Sequence, residues 1–373
     1  MARIEIETLS PVHVGSGRFF QKQIEYVFGR ENIGIVDEHK VLELIGEERI
    51  PAWVASIDKG EGLVSFLKGY GLEFSLQKIS GRIINIFCDK SLAKESATLK
   101  EQLHNGQGLP YLPGSSIKGS LRTAVFNEIV REKYKNIDHN KLENRGRFTS
   151  SFLEKEIFGK DPNHDVFRFL RVGDAYFKLN KTVAVMMVNI NIKEKSGEEL
   201  AITDTSKKQL VEAIGNDEKT VFSLTFDQAG MEKNLKSREI KNFPDCFKSI
   251  DALFHTINEN TGRILEEEIE FWEDYRDESV DLYLDRIKYF LKKVKGVKSG
   301  ECIMRMSHGS GWNFITGGWC KDPELVDDVA YGKIVNASRP GNERKYRHLP
   351  FPKSRRITSE VELPGFVRLR KID

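Results

Sequence analysis

Residues 109–134, LPYLPGSSIKGSLRTAVFNEIVREKY, constrain the fold more than any other stretch of the chain. Pro113-Gly114 breaks the backbone, and Ser115 or Ser116 can then cap a helix start. Ile117, Leu121, Ala124 and Val125 follow at i, i+4, i+7 and i+8, one apolar stripe. A helix with a single stripe must be covered by a sheet or another helix. The sequence offers strands at both chain ends. In Arg3–Thr8, Ile4 and Ile6 alternate with Arg3, Glu5 and Glu7; near the other end Val367 and Leu369 alternate with Arg368 and Arg370. Further strands are expected at 23–28 and 33–37 (a hairpin through 29–32), 81–88, 166–172, 182–192 and 220–226. In the last of these, Phe222, Leu224 and Phe226 share a face. A short helix fits 40–44, and 247–294 reads as helical, with Tyr283, Ile287, Phe290, Leu291 and Val294 on one stripe. The polar stretch 136–151 reads as an exposed loop. The fold class is therefore α+β, without an internal repeat.

A length of 373 residues suggests two or three domains at roughly 150 residues each. With 39% apolar residues the chain can build a core, which excludes global disorder. No apolar run approaches the ~20 residues of a membrane span, and the MARIEIETLS start has no signal-peptide core. Cys88, Cys246, Cys302 and Cys320 are too far apart for zinc-ribbon spacing, and reduced intracellular thiols are expected. The 58 basic and 56 acidic side chains nearly cancel, so net charge gives no argument for nucleic acid. Their distribution is uneven: residues 263–285 hold ten acidic and two basic side chains, residues 286–298 six basic and no acidic ones, and residues 341–373 nine basic and four acidic.

The 114–122 segment, GSSIKGSLR, has the glycine spacing of a phosphate loop, but Ser120-Leu121 replaces the required Lys-Ser/Thr. An NTPase is excluded on that ground. Lys118 in a first helical turn, Arg122 one turn on, two serine hydroxyls and free amides would suit a phosphate. A capped core helix with solvated basic residues fits equally well. His13 in SPVHVGSGR has no orienting partner nearby in sequence, which favours a structural role. In HGSGWNFITGG at 308–318, Gly309 and Gly311 allow close approach, and Trp312 and Phe314 are candidates for base stacking or for the core. Lys353, Arg355 and Arg356 in FPKSRRI suit an RNA backbone or an ordinary basic loop. No histidine pair has metal-ligand spacing.

YLPGSSIKGSLR (Tyr111–Arg122) resembles the signature loop and helix of the RAMP superfamily of CRISPR-associated proteins. SPVHVGSG after the opening strand is similar to the start of the same proteins, and 308–318 is loosely similar to their glycine loop. The ending, PKSRRI then PGFVRLRK, resembles one subgroup, the subunit that caps the crRNA 3′ end in type III-A Csm complexes. The resemblance covers the first 125 residues and the last 75, and the middle is not diagnostic. It implies two ferredoxin-like, RNA-recognition-motif-like domains, placed at 1–205 and 206–373, the second with a helical block at about 247–295. It implies crRNA binding and support of crRNA maturation in antiviral defence, without catalysis, cofactor or metal, in the cytoplasm and away from membranes. The implied partners are crRNA, a neighbouring Csm backbone subunit, a small helical subunit and crRNA-trimming nucleases. The implied RNA contacts are His13, Gly15, Ser16 and Arg18, then Ser115, Ser116, Lys118 and Arg122, then Gly309 and Gly311, with Lys353, Arg355 and Arg356 added from the basic ending. In the same complexes the backbone subunit cuts target RNA with an aspartate in the loop after its first strand. Here residues 14–36 contain no aspartate and Asp37 is the first, which argues against target cleavage. The rival readings are a precursor-RNA-processing endonuclease using His13, and another RAMP position in a type III complex. The acidic stretch Glu266–Asp285 is expected to lie away from RNA, with 286–298 and the tail arginines facing it.

Overall fold

The two ends of the chain lie side by side. The computed structural model describes residues 2–143, 149–195, 197–237, 240, 242–275, 277–338 and 349–372. In chain order the strands are β1 (Ala2–Thr8), β2 (Gly15–Gln21), β3 (Tyr26–Phe28), β4 (Asn32–Val36), β5 (Ser80–Ile86), β6 (Thr98–Gln102), β7 (Tyr111–Leu112), β8 (Leu170–Val172), β9 (Ala175–Tyr176), β10 (Thr182–Lys195), β11 (Glu198–Ile214), β12 (Lys219–Phe226), β13 (Glu301–Arg305), β14 (Ser354–Thr358) and β15 (Phe366–Lys371). The helices are α1 (Glu38–Ile45), α2 (Ile50–Asp58), α3 (Leu63–Gly69), α4 (Leu76–Ile79), α5 (Lys90–Glu95), α6 (Gly114–Lys133), α7 (Ser151–Phe158), α8 (Gln228–Ser237), α9 (Ile250–Glu273), α10 (Glu278–Lys295) and α11 (Asp328–Ser338). Among the described residues no helix is long and apolar enough to cross a membrane.

One sheet is antiparallel, in the order β13-β15-β1-β12-β8. The alternation in β1 explains its central place. Ile4 and Ile6 are fully buried, while Glu5 pairs with Arg370, and Glu7 with Lys219 and Arg368, from the flanking strands. The stripe of α6 lands on this sheet: Ile117, Leu121, Ala124 and Val125 share a core with Ile4, Ile6, Leu224 and Leu369. Helix α9 adds Leu253, Phe254 and Ile257 to the same core.

The second sheet runs β2-β6-β11-β10-β5-β4-β3, with β14 on β10. Its central β10 is buried on both faces, Met186, Val188 and Ile190 in one core and Val185 and Met187 in another. That is why its sequence reads as a continuous apolar run. Helices α1 to α4 form a satellite around Val41, Ile45, Trp53, Phe66 and Leu67.

Several expectations change. The expected boundary at 205/206 falls within β11, and residues 206–373 supply strands to both sheets. The stretch 166–172 is a 3-10 turn (Val166–Phe169) leading into β8, because Asp165 accepts the Phe167 amide. Part of the first loop is strand β2, and β11 has no counterpart in the expected strands. Neither serine caps α6: Pro113 is the N-cap residue, and Asp174 from the turn after β8 accepts the Gly114 amide at 2.7 Å. Of the polar loop at 136–151, residues 144–148 lie outside those described, as do 341–348 of the basic ending.

The charge segregation of 263–298 is answered inside the fold. Helices α9 and α10 pack against each other, with Lys295 on Glu266 at 2.7 Å and Lys288 on Glu273 at 3.3 Å. The expected outward acidic face is therefore not a single face. Glu267 binds Arg131 at 2.6 Å, and Glu268 is buried against Arg355.

Candidate nucleic-acid interface

The signature segment owes its shape to close packing. A Cβ on Gly114 would lie 2.2 Å from the Val172 carbonyl oxygen, so only glycine fits where α6 meets β8. Ser115 is exposed, and Ser116 donates its amide to Pro113. Arg122 is already engaged. Its guanidinium lies 2.7 Å from Asp165 and 3.6 Å from Glu154, and stacks over Phe158. Lys118 is half-buried and forms no ion pair among the described residues. Burial lowers its pKa, Asp165 raises it and Arg122 opposes that gain.

The structure gathers the other expected segments in one place. The His308 amide donates to the His13 carbonyl at 3.2 Å, tying the glycine loop to the loop after β1. The two imidazoles meet edge to face, 5.5 Å between centroids. His13 is buried, and its Nδ1 lies 2.5 Å from the Glu212 carbonyl oxygen. A carbonyl can only accept, so this nitrogen carries the proton, leaving Nε2 as an acceptor. A Cβ on Gly15 would sit 3.1 Å from that Nε2. Gly309, with φ +89°, packs against Pro364 and the Arg356 side chain. Arg356 in turn donates to the Lys207 carbonyl at 2.8 Å.

Sequence reasoning missed three members of this face. On β6, Lys100 donates to Gln209 of β11 at 2.9 Å, and His308 Nε2 lies 3.1 Å from the same oxygen. Phe19 is 49% exposed beneath the Lys100 ammonium, 5.5 Å from its ring centroid. Only the pairing of β2 with β6 brings Phe19 opposite Lys100. Between Gly15 and Phe19 that pairing bulges, residues 16–18 standing against Glu101 alone. Ser16 Oγ donates to Glu101 at 2.9 Å, and Arg18 pairs with Glu25 at 2.9 Å.

Burial and neighbouring cations both act on the protonation of this face. Burial, then Lys100, His13 and Arg356, holds His308 down at about 4. Burial also lowers His13, and burial followed by Arg356 lowers Lys100. Cations that depress one another's protonation are relieved by an added negative charge.

One expectation is corrected here. Arg355 is 5% exposed and faces the core, where its Nε and Nη2 donate to Glu268 at 2.6 and 2.7 Å. Burial alone would raise the Glu268 carboxyl; Arg355 first, then Lys321 and the Tyr283 hydroxyl, hold it at about 2. Asn313 donates to the same carboxylate, so this node also anchors the glycine-rich segment. Trp312 and Phe314 are packing aromatics, against Phe351 and Phe366 respectively, and offer no open platform. Lys353 lies just before β14 and donates to the Ile192 carbonyl at 3.3 Å. Gly311, with φ +87°, ends the tight turn.

A sequence model of the RAMP superfamily matches residues 5–290. The chain belongs to the RAMP superfamily. It is 28% identical over 189 residues to the "CRISPR system Cms protein Csm5" of Methanocaldococcus jannaschii, a match spanning 46% of this chain and 42% of that protein. It is 22% identical over 276 residues to the protein of the same name from Streptococcus thermophilus, spanning 65% of this chain and 72% of that one. Its fold is that of a chain in a Csm–crRNA–target RNA ternary complex of a type III-A CRISPR-Cas system, with TM-score 0.70 and 19% identity over 99% of this chain and all of the other. T. onnurineus Csm5 is also similar, with TM-score 0.65 and 16% identity over 97% of this RAMP chain and 99% of its counterpart.

Proposed function

We propose that this RAMP protein is a crRNA-binding structural subunit of a cytoplasmic type III-A Csm effector complex, where it caps the 3′ end of the guide and supports crRNA maturation. One observation carries the reading: Gly309 and Arg356, far apart in sequence, converge with Lys100 and Phe19 on one basic face, over the buried His13. Lysine and arginine beside an exposed ring suit an RNA backbone and its splayed bases. The names of its relatives support a Csm complex with crRNA, and for its partners we propose a neighbouring backbone subunit, a small helical subunit and crRNA-trimming nucleases. We read the β15-β1-β12-β8 order, with α6 and α9 as crossovers, as one ferredoxin-like unit. The deciding experiment places a photo-crosslinkable nucleotide at the 3′ end of crRNA in the reconstituted complex. Cross-links are expected within residues 13–19, 100 and 307–311 of this chain. Cross-links only from the 5′ end would overturn the capping role.

A second reading, a precursor-cleaving endonuclease, draws on the meeting of His13 and His308. Burial lowers both imidazoles, His308 to about 4, which weakens them as acid–base groups and favours positioning over proton transfer. We therefore propose that the purified chain leaves precursor and target RNA intact. Cleavage that vanishes in His308→Ala would favour the endonuclease.

A further inference from the structure

A groove of about 870 Å³ opens between helices α1 and α2 and the strands β2, β4, β5 and β6. It lies on the far side of β6 from the Lys100 face, where Glu101 turns toward it. Two features set it apart from that face. The first is apolar exposure at its lips. Leu42, Val54 and Leu179 are 38%, 51% and 57% exposed, and all three line the groove above Trp53 and Ile57. Exposed apolar side chains gathered around one concavity mark an interaction site rather than scattered surface residues. The second is the sign of its charge. Its charged lining is Arg18, Arg82, Glu25, Asp37, Glu38 and Glu101, four acidic against two basic. Both arginines are already answered, Arg18 by Glu25 and Arg82 by Glu101 and Glu212. A phosphate backbone would meet a net negative wall here, so the groove is unsuited to RNA. An apolar segment carrying cations at its ends would match both the lips and the charge.

We propose that this groove docks an apolar, lysine- or arginine-flanked segment of a neighbouring protein chain. The proposal rests on the subunit role argued above. Its test is reconstitution of the type III-A complex from the same source with the double variant Leu42→Asp, Val54→Asp. Incorporation should fall at least tenfold, while crRNA affinity and the melting temperature stay at wild-type values. Normal incorporation overturns the proposal, and so does normal incorporation with weakened crRNA binding, which would make the groove an RNA surface. Failure of the wild-type chain to assemble removes the subunit role itself and the docking proposal with it, and the wild-type control distinguishes that case. A second variant, Val54→Cys carrying a photo-crosslinker in the assembled complex, covers loss of folding in the first. Cross-linking to an apolar, basic-flanked segment of another chain supports the proposal; cross-linking to RNA, to an acidic segment or to nothing overturns it.

Discussion

Arg355 and Arg356 are adjacent on β14 and serve opposite ends. Arg355 enters the core and finds Glu268, Tyr283 and Asn313 already gathered around one carboxylate. Arg356 leaves by the other face of the strand, among Lys100 and His308. The first node is closed, a buried and hydrogen-bonded ion pair; the second is open, its two cations donating to neutral oxygens. A closed node is a structural joint, because removing either partner strands a buried charge. An open node retains field for a ligand. Alternation along a strand makes this assignment, and the two residue types are the same.

The largest effect expected from this contrast is on stability. Arg355→Ala or Glu268→Ala should each cost about 3–5 kcal/mol in denaturant unfolding, the usual penalty for orphaning a buried charge. An apolar pair, Glu268→Met with Arg355→Leu, should recover much of it; equal loss in the double variant would assign the stability to packing alone. The open node should respond differently. Lys100→Ala and Arg356→Ala should each weaken crRNA binding by about 1.5 kcal/mol, the scale of a charge-assisted hydrogen bond. Each should lower the salt slope of binding by about 0.7, the single-strand value per phosphate contact. Unchanged slopes would close the second node as well.

The pH response comes next in size. His308 sits at about 4 when folded, below its ordinary 6.5, so the unfolded chain binds the extra proton first as pH falls. Its contribution to stability is present above about 6.5 and is lost as pH falls toward 4. An RNA phosphate at the same face would raise His308, so crRNA affinity should increase over that interval. His308→Gln should flatten both trends, and an affinity that ignores pH in both proteins would detach the imidazole from the RNA site. Smallest is the contrast within α6. Lys118→Ala should weaken RNA binding by about 0.5–1 kcal/mol. Arg122→Ala should leave binding unchanged and lower the melting temperature, since its partners are Asp165, Glu154 and Phe158. The opposite pattern would restore Arg122 as the phosphate ligand.

Much of the framework was legible in the residues. The α6 stripe, the alternation of β1 and β15, the 23–37 hairpin, β12 and the long helical block all appear where periodicity placed them. Strand β11 was not legible because its outer half, up to Lys207, is mostly exposed and lacks an apolar alternation. Of the site, the glycines and His13 drew attention through local pattern. His308 stood in that pattern without a partner, and Lys100, Gln209 and Phe19 had no pattern at all. They meet only because β2, β6 and β11 become neighbours across more than a hundred residues.

By itself the sequence determined the elements whose own period fixes a buried face, and the superfamily signature at Tyr111–Arg122. Only the tertiary structure decided which cations remain available. A charge's role depends on what stands within a few ångströms of it. For Arg122 that is Asp165, for Arg355 it is Glu268, and for Lys100 it is an amide oxygen and an open ring. Such distances are set by strand pairing and helix packing, which join residues that the chain itself keeps far apart.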